Sequence, residues 1–185
     1  MKRKSMRNGL RNCALAMSFL AAMSAGANDF TPKNPMTMWY NVPSTATGVK
    51  NVWMEYSLPI GNGQLGGSLF GGLNKDEIQF NEKTLWTGKT SDMQGYGAGY
   101  GQYKNFGSIY VEDLSGVFLP GKDGEVKDYV RSLDLQEGIG RVVCSSDQHM
   151  TSYDRTYFVS NPDKVMVARY TATGKKKLHL MFSFA

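Results

Sequence analysis

The C-terminal third of the chain alternates between apolar and polar positions with a period of two, the pattern of half-buried β-strands. One predicted strand carries its larger side chains on a single face, namely Tyr153, Arg155, Tyr157 and Val159. A second strand is predicted from Lys164, after the turn-forming run Asn161-Pro162-Asp163. A third follows the turn at Thr173-Gly174-Lys175 and carries an apolar face made of Leu178, Leu180, Phe182 and Phe184. We therefore predict a three-stranded meander whose apolar faces need a second layer.

Shorter segments upstream give the same kind of prediction. Residues 78–80 and 108–113 fit strands, and residues 66–73 fit another. That last segment is so rich in glycine that we expect a neighbouring segment to approach its backbone closely. Residues 125–135 are the one stretch compatible with a helical turn, which we expect to be short. No stretch sustains a 3.6-residue period, so the predicted fold class is all-β, an antiparallel β-sandwich.

The positive charge of the chain is concentrated at its N-terminus. The 185 residues carry a formal net charge of +5, yet the first acid is Asp29, and the basic residues of the start are Lys2, Arg3, Lys4, Arg7 and Arg11. Without residues 1–27 the chain has 16 basic and 16 acidic residues. A neutral domain gives no electrostatic reason to expect a nucleic-acid partner.

Residues 1–27 have the three parts of a secretory signal peptide. A basic start is followed by an apolar run from Cys13 to Ala22 and by the small residues Ala25-Gly26-Ala27. The run through Ala27 is shorter than the roughly 20 residues that span a membrane, so we predict no membrane span. We expect cleavage after Ala27 and export to the periplasm or the extracellular space, leaving residues 28–185 as one domain.

The sequence gives little indication of a metal site, a cofactor site or a catalytic nucleophile. The exported chain would keep Cys144 as its one cysteine, which excludes an intramolecular disulfide. His149 and His179 are far apart, and we expect His179 to face solvent. The run Gly61–Gly66 matches G-x-G-x-x-G, but a strand-like pattern follows it instead of the helix that a dinucleotide site needs. We interpret it as a tight turn, and we predict no metal and no cofactor.

Paired carboxylates are the groups that hydrolyse glycosidic bonds, one as proton donor and the other as base or nucleophile. Candidates by residue type are Glu55, Glu77, Glu82, Glu112 and Asp113. Composition does not select among them, because most acids in a β-protein are solvated. The residues alone therefore indicate an exported all-β domain and no particular chemistry.

Ordered blocks of sequence between Trp53 and Ala172 match a known family pattern. The first blocks are residues 53–72 (WMEYSLPIGNGQLGGSLFGG) and residues 77–88 (EIQFNEKTLWTG). They resemble W-x-E-A-L-P-I-G-N-G-R-L-G and Q-L-N-E-D-T-L-W-S-G of glycoside hydrolase family 95. Residues 102–110 are similar to Y-Q-x-L-G-D-L-Y, and residues 129–135 to Y-R-R-x-L-D-L. Residues 151–172 are similar to Y-x-R-E-Y-F-x-S-x-P-D-x-V-x-V-x-R-L-T-A. The chain departs from the pattern at Ser57, Gln64 and Phe106, where the family has Ala, Arg and Leu.

The resemblance implies the N-terminal β-sandwich of an exo-acting α-L-fucosidase-like or α-L-galactosidase-like enzyme that works by inversion without a cofactor. The family's catalytic acid and base lie in a following (α/α)6 barrel, and every matched block lies in the sandwich. We therefore expect no catalytic residue here, a sandwich that is C-terminally truncated, and no activity of this chain alone. The glycan substrate would be bound through the missing catalytic domain.

The segment that holds Asn81, Glu82 and Trp86 is the predicted substrate-facing or interdomain surface, since it combines an amide, a carboxylate and a large aromatic ring. The alternative for these residues is structural, with Trp86 as an anchor and the polar pair bonding loop backbone. Two other functions stay open for the whole chain. One is a stand-alone carbohydrate-binding sandwich that stacks sugars on Trp86, Tyr96 and Tyr100. The other is an interaction domain without a sugar role.

Overall fold

A computed structural model describes residues 30–44, 50–87, 102–104, 106–118 and 126–185. These ranges form strands and a single-turn helix, α1 (Val52–Glu55). The strands are β1 (Thr37–Tyr40), β2 (Leu58–Gly61), β3 (Leu65–Leu69), β4 (Lys75–Glu82), β5 (Trp86–Thr87), β6 (Gln102–Tyr103), β7 (Gly107–Asp113), β8 (Lys127–Asp134), β9 (Ile139–Ser146), β10 (Thr151–Val159), β11 (Met166–Gly174) and β12 (Leu180–Phe184).

The strands form two five-stranded antiparallel sheets and a small hairpin. Sheet A has the order β1-β8-β9-β10-β11, and sheet B has the order β12-β7-β4-β3-β2. The hairpin pairs β5 with β6. The apolar side chains between the two sheets include Leu58, Ile78, Leu133, Tyr153 and Tyr157, each at most 3% exposed. The all-β sandwich predicted from alternation is confirmed.

The predicted C-terminal meander is correct for two of its three strands. β10 and β11 pair through the predicted turn, with Tyr157 opposite Ala168. β11 begins at Met166 and not at Lys164, whose positive φ of 57° belongs to the turn. The third strand, β12, leaves sheet A and pairs with β7 in sheet B, with Phe182 opposite Val111. Alternation identifies a strand and its two faces but carries no information about its partner, so the three-stranded meander was wrong at this point.

Residues 127–134 form a strand, which corrects the expectation of a helical turn at 125–135. Tyr129, Arg131 and Leu133 alternate toward the sandwich interior, and β8 pairs with both β1 and β9. Pairing on both sides satisfies the backbone of β8 and overrides its weak helical signal. The described helical turn lies instead at Val52–Glu55.

Two glycines allow the close backbone approach that the sequence predicted. A Cβ on Gly67 would lie 2.6 Å from the Met166 Cε, and one on Gly71 would lie 2.5 Å from the Tyr129 hydroxyl. Gly71 also has a φ of +68°, which side chains with a Cβ rarely adopt. The strand itself ends at Leu69, earlier than the predicted Leu73.

A buried polar cluster joins the two sheets across the core. The Asp76 carboxylate of sheet B accepts hydrogen bonds from the Tyr157 and Tyr170 hydroxyls of sheet A. The Arg155 guanidinium lies 3.7 Å from the same carboxylate oxygen and donates to the carbonyl oxygens of Gly72 and Leu73. Asp76 is 1% exposed and Arg155 is 5% exposed. A buried charge is stable only when it is paired and hydrogen-bonded in this way.

A second buried cation fastens the N-terminal segments to sheet A. The Arg131 guanidinium donates to the carbonyl oxygens of Val42 and Tyr56, and it lies 4.2 Å from the centroid of the Tyr40 ring. It is fully buried. Since Tyr56 directly follows α1, Arg131 positions that helical turn against the sandwich.

Within the described ranges, one side of the sandwich is open at β12, an edge strand of sheet B. In register, Phe182 and Phe184 lie opposite Val111 and Ile109, so they point to the inner face of sheet B. They are nevertheless 60% and 77% exposed. The described part of sheet A therefore leaves the inner face of β12 uncovered.

Candidate functional site

The segment predicted as the functional surface begins at the end of β4 and runs into β5. Asn81 pairs with Gly66 and Glu82 with Leu65, so the end of β4 lies beside the β2–β3 hairpin. The chain then turns sharply, because Leu85 N–H donates to the Glu82 carbonyl oxygen and Trp86 N–H to that of Thr84. Asn81, Glu82 and Trp86 thus lie within one short surface segment.

Glu82 is held by the turn that it begins. Its Oε2 accepts hydrogen bonds from the Thr84 N–H at 2.8 Å and from the Thr84 hydroxyl. These bonds favour the charged form and lower the pKa of Glu82 below its ordinary value. The Glu82 carboxylate therefore acts as a hydrogen-bond acceptor within this turn.

Asn81 and Trp86 differ in what they offer to a ligand or a neighbouring domain. The Asn81 Oδ1 accepts the N–H of Glu82 at 2.8 Å, so part of its amide is used within the segment. The Trp86 side chain belongs to the short β5–β6 hairpin and is 51% exposed. An indole exposed to this degree presents a wide apolar surface for stacking.

The run Gly61–Gly66 forms the tight turn that the sequence predicted. The Asn62 Oδ1 accepts the N–H groups of Gln64 and Leu65, and its Nδ2 donates to the Ser160 carbonyl oxygen at 2.6 Å. β3 follows the turn where a dinucleotide site would need a helix. The Gln64 carbonyl oxygen accepts the Lys83 N–H at 2.9 Å, which brings this turn against the candidate segment. The sequence interpretation missed that proximity.

The other candidate carboxylates lie in separate surroundings. The Glu77 Oε1 accepts hydrogen bonds from the Ser108 and Tyr110 hydroxyls, on the outward face of sheet B. On the same face, Glu112 pairs with Lys75 at 3.1 Å. Asp113 is buried on the inner face and accepts the Ser115 N–H, whereas Glu55 is exposed at the end of α1. The structure therefore gives these acids individual structural contacts and does not bring them together as a set.

The structure also shows the positions of the histidines and the cysteine that were considered for metal or thiol chemistry. His179 is exposed, as predicted, and His149 lies in the β9–β10 turn. Burial raises the pKa of the Cys144 thiol to about 11, which keeps it protonated. Within the described ranges, no group of three or more His, Cys, Asp or Glu side chains is placed to hold a metal ion. The same part of the chain contains no helix with the length and apolar character needed to cross a membrane.

Some of the sequence predictions concern residues outside the described ranges. Tyr96 and Tyr100, named as stacking residues of a sugar-binding alternative, lie there. So do residues 1–27, the predicted signal peptide.

Two curated proteins are similar to this chain over most of its length. The α-L-fucosidase 2 of Arabidopsis thaliana is 28% identical over 165 residues, which cover 76% of this chain and 19% of that protein. The probable α-fucosidase A of Aspergillus niger is 25% identical over 189 residues, which cover 86% of this chain and 21% of that protein. The chain thus spans about a fifth of the length of these relatives.

A family model describes the same region as a domain. The model of the glycosyl hydrolase family 65 N-terminal domain matches residues 38–100 and 89–185, which together span most of the chain. These ranges contain both sheets except for the first residue of β1. The chain therefore belongs to the glycosyl hydrolase family 65 N-terminal domain family.

Proposed function

We propose that residues 28–185 are the N-terminal β-sandwich of an exported α-L-fucosidase-type hydrolase of glycoside hydrolase family 95. Hydrolysis of terminal α-L-fucosyl linkages, with inversion, would then take place in a catalytic barrel that follows the sandwich in an intact enzyme. The observation that carries the proposal is the match of the sandwich to a glycosyl hydrolase N-terminal domain and to two proteins named as fucosidases. The ordered blocks from Trp53 to Ala172 favour family 95 within the wider group.

The open side of the sandwich supports the view that this domain belongs to a larger assembly. Phe182 and Phe184 point to the inner face of sheet B but are exposed. Exposed contiguous apolar surface of this kind is typical of surfaces that another segment covers. The length of the two relatives, about five times the matched region, supports the same interpretation.

We further propose that Asn81, Glu82 and Trp86 face the catalytic domain in the intact enzyme. The half-exposed Trp86 ring and the ionised Glu82 stand on one rigid turn, fixed by the bonds of Thr84 and Leu85. This arrangement suits either a wall of the substrate pocket or an interdomain anchor. The Glu82 carboxylate, held by the Thr84 N–H and hydroxyl, would serve there as a hydrogen-bond acceptor for a substrate hydroxyl or for a group of the neighbouring domain.

The first experiment assays the chain and then its genomic context. The purified chain is expected to show no turnover of 4-nitrophenyl α-L-fucopyranoside. The reading frames after codon 185 are expected to encode a barrel, in frame or after a frameshift. Fusing that barrel to the chain should produce fucoside hydrolysis whose first product, seen by NMR, has the inverted anomeric configuration. Turnover by the repurified chain alone would contradict the placement of the chemistry, and an unrelated neighbouring gene would contradict the domain assignment.

A second experiment separates the two roles of the candidate segment in an intact relative. The residues equivalent to Glu82 and Trp86 are changed to Gln and Ala, and kcat/KM is measured beside Tm. A fall in kcat/KM at unchanged Tm would assign the segment to the substrate pocket. A fall in Tm with a proportionate loss of activity would assign it to the interdomain anchor.

The alternative function is a stand-alone carbohydrate-binding sandwich. Its support among the described residues is the exposed Trp86 ring. Binding of a fucosylated oligosaccharide by the isolated chain, lost in Trp86→Ala, would favour this alternative over the hydrolase domain.

A further inference from the structure

A cleft of about 390 Å³ lies on the outward face of sheet A, away from the candidate segment in sheet B and its hairpin. Its floor is made by outward-facing residues of β8, β9 and β10, and residues 30–34 form one wall. The volume falls within the range of small-molecule sites, toward its lower end. The cleft is large enough for a single sugar ring.

Strand register places a row of polar side chains along the floor. Ser132 of β8 lies opposite Arg141 of β9, and Arg141 lies opposite Thr156 of β10. All three line the cleft, beside the aliphatic side chains of Val130 and Val143. A polar row next to an aliphatic floor matches a sugar ring, which has hydroxyls at its rim and C–H groups on its faces.

The polar side chains of this row differ in the hydrogen bonds that they make within the protein. The Arg141 guanidinium is oriented by two hydrogen bonds to the Asp154 carboxylate. The Ser132 and Thr156 hydroxyls, by contrast, make no hydrogen bond within the described ranges, although both side chains are only partly exposed. Neither hydroxyl is among the fully buried unpaired atoms of the described residues, so both are open to the cleft and can hydrogen-bond to a ligand there.

Charged side chains of both signs line the cleft, which bears on the class of ligand. Lys33 and Arg141 line it together with Asp134 and Glu137. One of these acids, Asp134, is engaged through Oδ1 with the Asn34 side chain and with backbone N–H groups of the β8–β9 turn. Arg141 is likewise paired with Asp154, so the charged groups nearest the floor are already engaged within the protein, which favours a neutral polyhydroxylated ligand over an anion or a cation.

An aromatic pair stands at the rim. Phe30 lines the cleft, and its ring lies edge-on to Trp39, with 5.4 Å between the ring centroids. Trp39 is 38% exposed and lies opposite Ser132 in the register of β1 and β8. An apolar ring wall beside unpaired hydroxyls is the combination that orients a pyranose.

We propose that this cleft is a binding site for one neutral pyranose unit of a glycan, separate from any site at Asn81, Glu82 and Trp86. The site would hold a sugar chain on the sandwich without acting on it chemically. It is independent of the proposed hydrolase function, and its failure would leave the family assignment unchanged.

Ligand-observed NMR titration of the full chain tests the proposal. The neutral probes are methyl α-L-fucopyranoside and methyl β-D-galactopyranoside, and the charged comparators are D-glucuronate and D-glucosamine. At least one neutral probe is expected to bind with a Kd of about 1–10 mM, since one sugar ring makes few contacts. Both charged comparators should bind more weakly. Tighter binding of either charged comparator would overturn the proposal. So would the absence of binding by either neutral probe at roughly 100 mM, which is at least tenfold above the expected Kd.

Variants then locate the bound sugar. Thr156→Val and Ser132→Val each remove one hydroxyl and are expected to weaken binding about three- to tenfold. Ser132→Phe fills the cleft and should abolish binding. The control Thr173→Val removes an exposed hydroxyl from β11, outside the cleft, and should leave the Kd unchanged. Tm measured for each variant confirms folding. Unchanged affinity in the three cleft variants, or loss of binding in Trp86→Ala, would place the sugar elsewhere and overturn the proposal.

Discussion

The Tyr157 hydroxyl of sheet A donates a hydrogen bond to the Asp76 carboxylate of sheet B at 2.5 Å, deep between the two layers. Tyr170 and Arg155 approach the same carboxylate oxygen, so one side chain of sheet B connects three of sheet A. Burial and the Asp76 charge raise the pKa of Tyr157 well above its ordinary value, which keeps the donor protonated. Burial disfavours the charged form of Arg155, but the Asp76 carboxylate outweighs this and raises its pKa.

Asp76→Asn is expected to lower the free energy of unfolding by about 3–5 kcal/mol, because it leaves the Arg155 charge buried without its partner. Chemical denaturation followed by tryptophan fluorescence measures the loss. Glu112→Gln, which breaks the more exposed pair with Lys75, serves as the control and should cost less than about 1 kcal/mol. Equal losses in the two variants would contradict the role given to the buried cluster.

Ionisation of the buried tyrosines sets an alkaline limit on stability. Burial raises the pKa values of Tyr129, Tyr153, Tyr157 and Tyr170. A raised folded pKa stabilises the native state fully below the unfolded pKa of about 10, and that stabilisation is lost as pH rises above it. Titration of tyrosinate absorbance should therefore show these groups ionising together with cooperative unfolding above pH 10. In Tyr157→Phe and Tyr170→Phe, the absorbance step that accompanies unfolding should shrink. Smooth titration of all tyrosines in the folded protein would contradict this prediction.

Gly71 and Gly116 form a matched pair for testing close backbone approach. Both have positive φ, but a Cβ on Gly71 would meet the Tyr129 hydroxyl, whereas a Cβ on Gly116 would meet no atom of the described residues within 4 Å. Gly116→Ala is expected to cost about 1 kcal/mol from backbone strain alone. Gly71→Ala should cost about 1–3 kcal/mol more, because the Tyr129 hydroxyl loses its bond to the Gly71 carbonyl oxygen. The free energy of unfolding is measured for each variant. Similar losses in the two variants would contradict the prediction, because they would show that the Tyr129 side chain moves aside without cost.

The open side of the sandwich is expected to cause concentration-dependent self-association of the chain. Phe182 and Phe184 expose apolar surface beside the edge of β12 that pairs with no strand of the described ranges, and such edges promote strand pairing between molecules. Phe182→Ser combined with Phe184→Ser should shift the protein toward monomer in size-exclusion chromatography with light scattering. Met54→Ser, which removes a 69% exposed side chain from α1, is the control and should leave the association unchanged. A monomeric wild-type chain at high concentration would contradict the expectation.

The sequence predicted the strands and their faces better than their partners. Tyr153, Arg155 and Tyr157 share the inner face of β10 as expected, because period-two alternation reports burial directly. The place of β12 beside β7 was missed, since a strand with one apolar face satisfies that pattern in either sheet. The prediction of a helical turn at residues 125–135 failed for a related reason. Pairing of β8 with β1 and β9 determines the structure of this segment, and the local sequence pattern does not show it.

The candidate segment could be predicted because its residues are close together in the sequence. The buried cluster of Asp76 and Arg155 could be identified only from the folded structure. Asn81, Glu82 and Trp86 lie within six residues of sequence, so any turn keeps them together. Asp76 and Arg155 are far apart along the chain and meet only when the two sheets pack. The available signal was a charge on the core face of each strand, Asp76 in line with Ile78 and Arg155 between Tyr153 and Tyr157.

The transfer of the last strand to sheet B has a kinetic consequence. Strands β8 to β11 pair with their neighbours in sequence, so their loops close at low entropic cost and this half of the fold can form early. Sheet B needs β12 against β7, about 70 residues away, and sheet A needs β1 against β8, about 90 residues away. Both late pairings involve strands at the ends of the described chain. We therefore expect the two layers to reach their final width only after the central hairpins are in place. Conditions that slow this step should leave β7 and β8 as the exposed edges of a partly folded molecule.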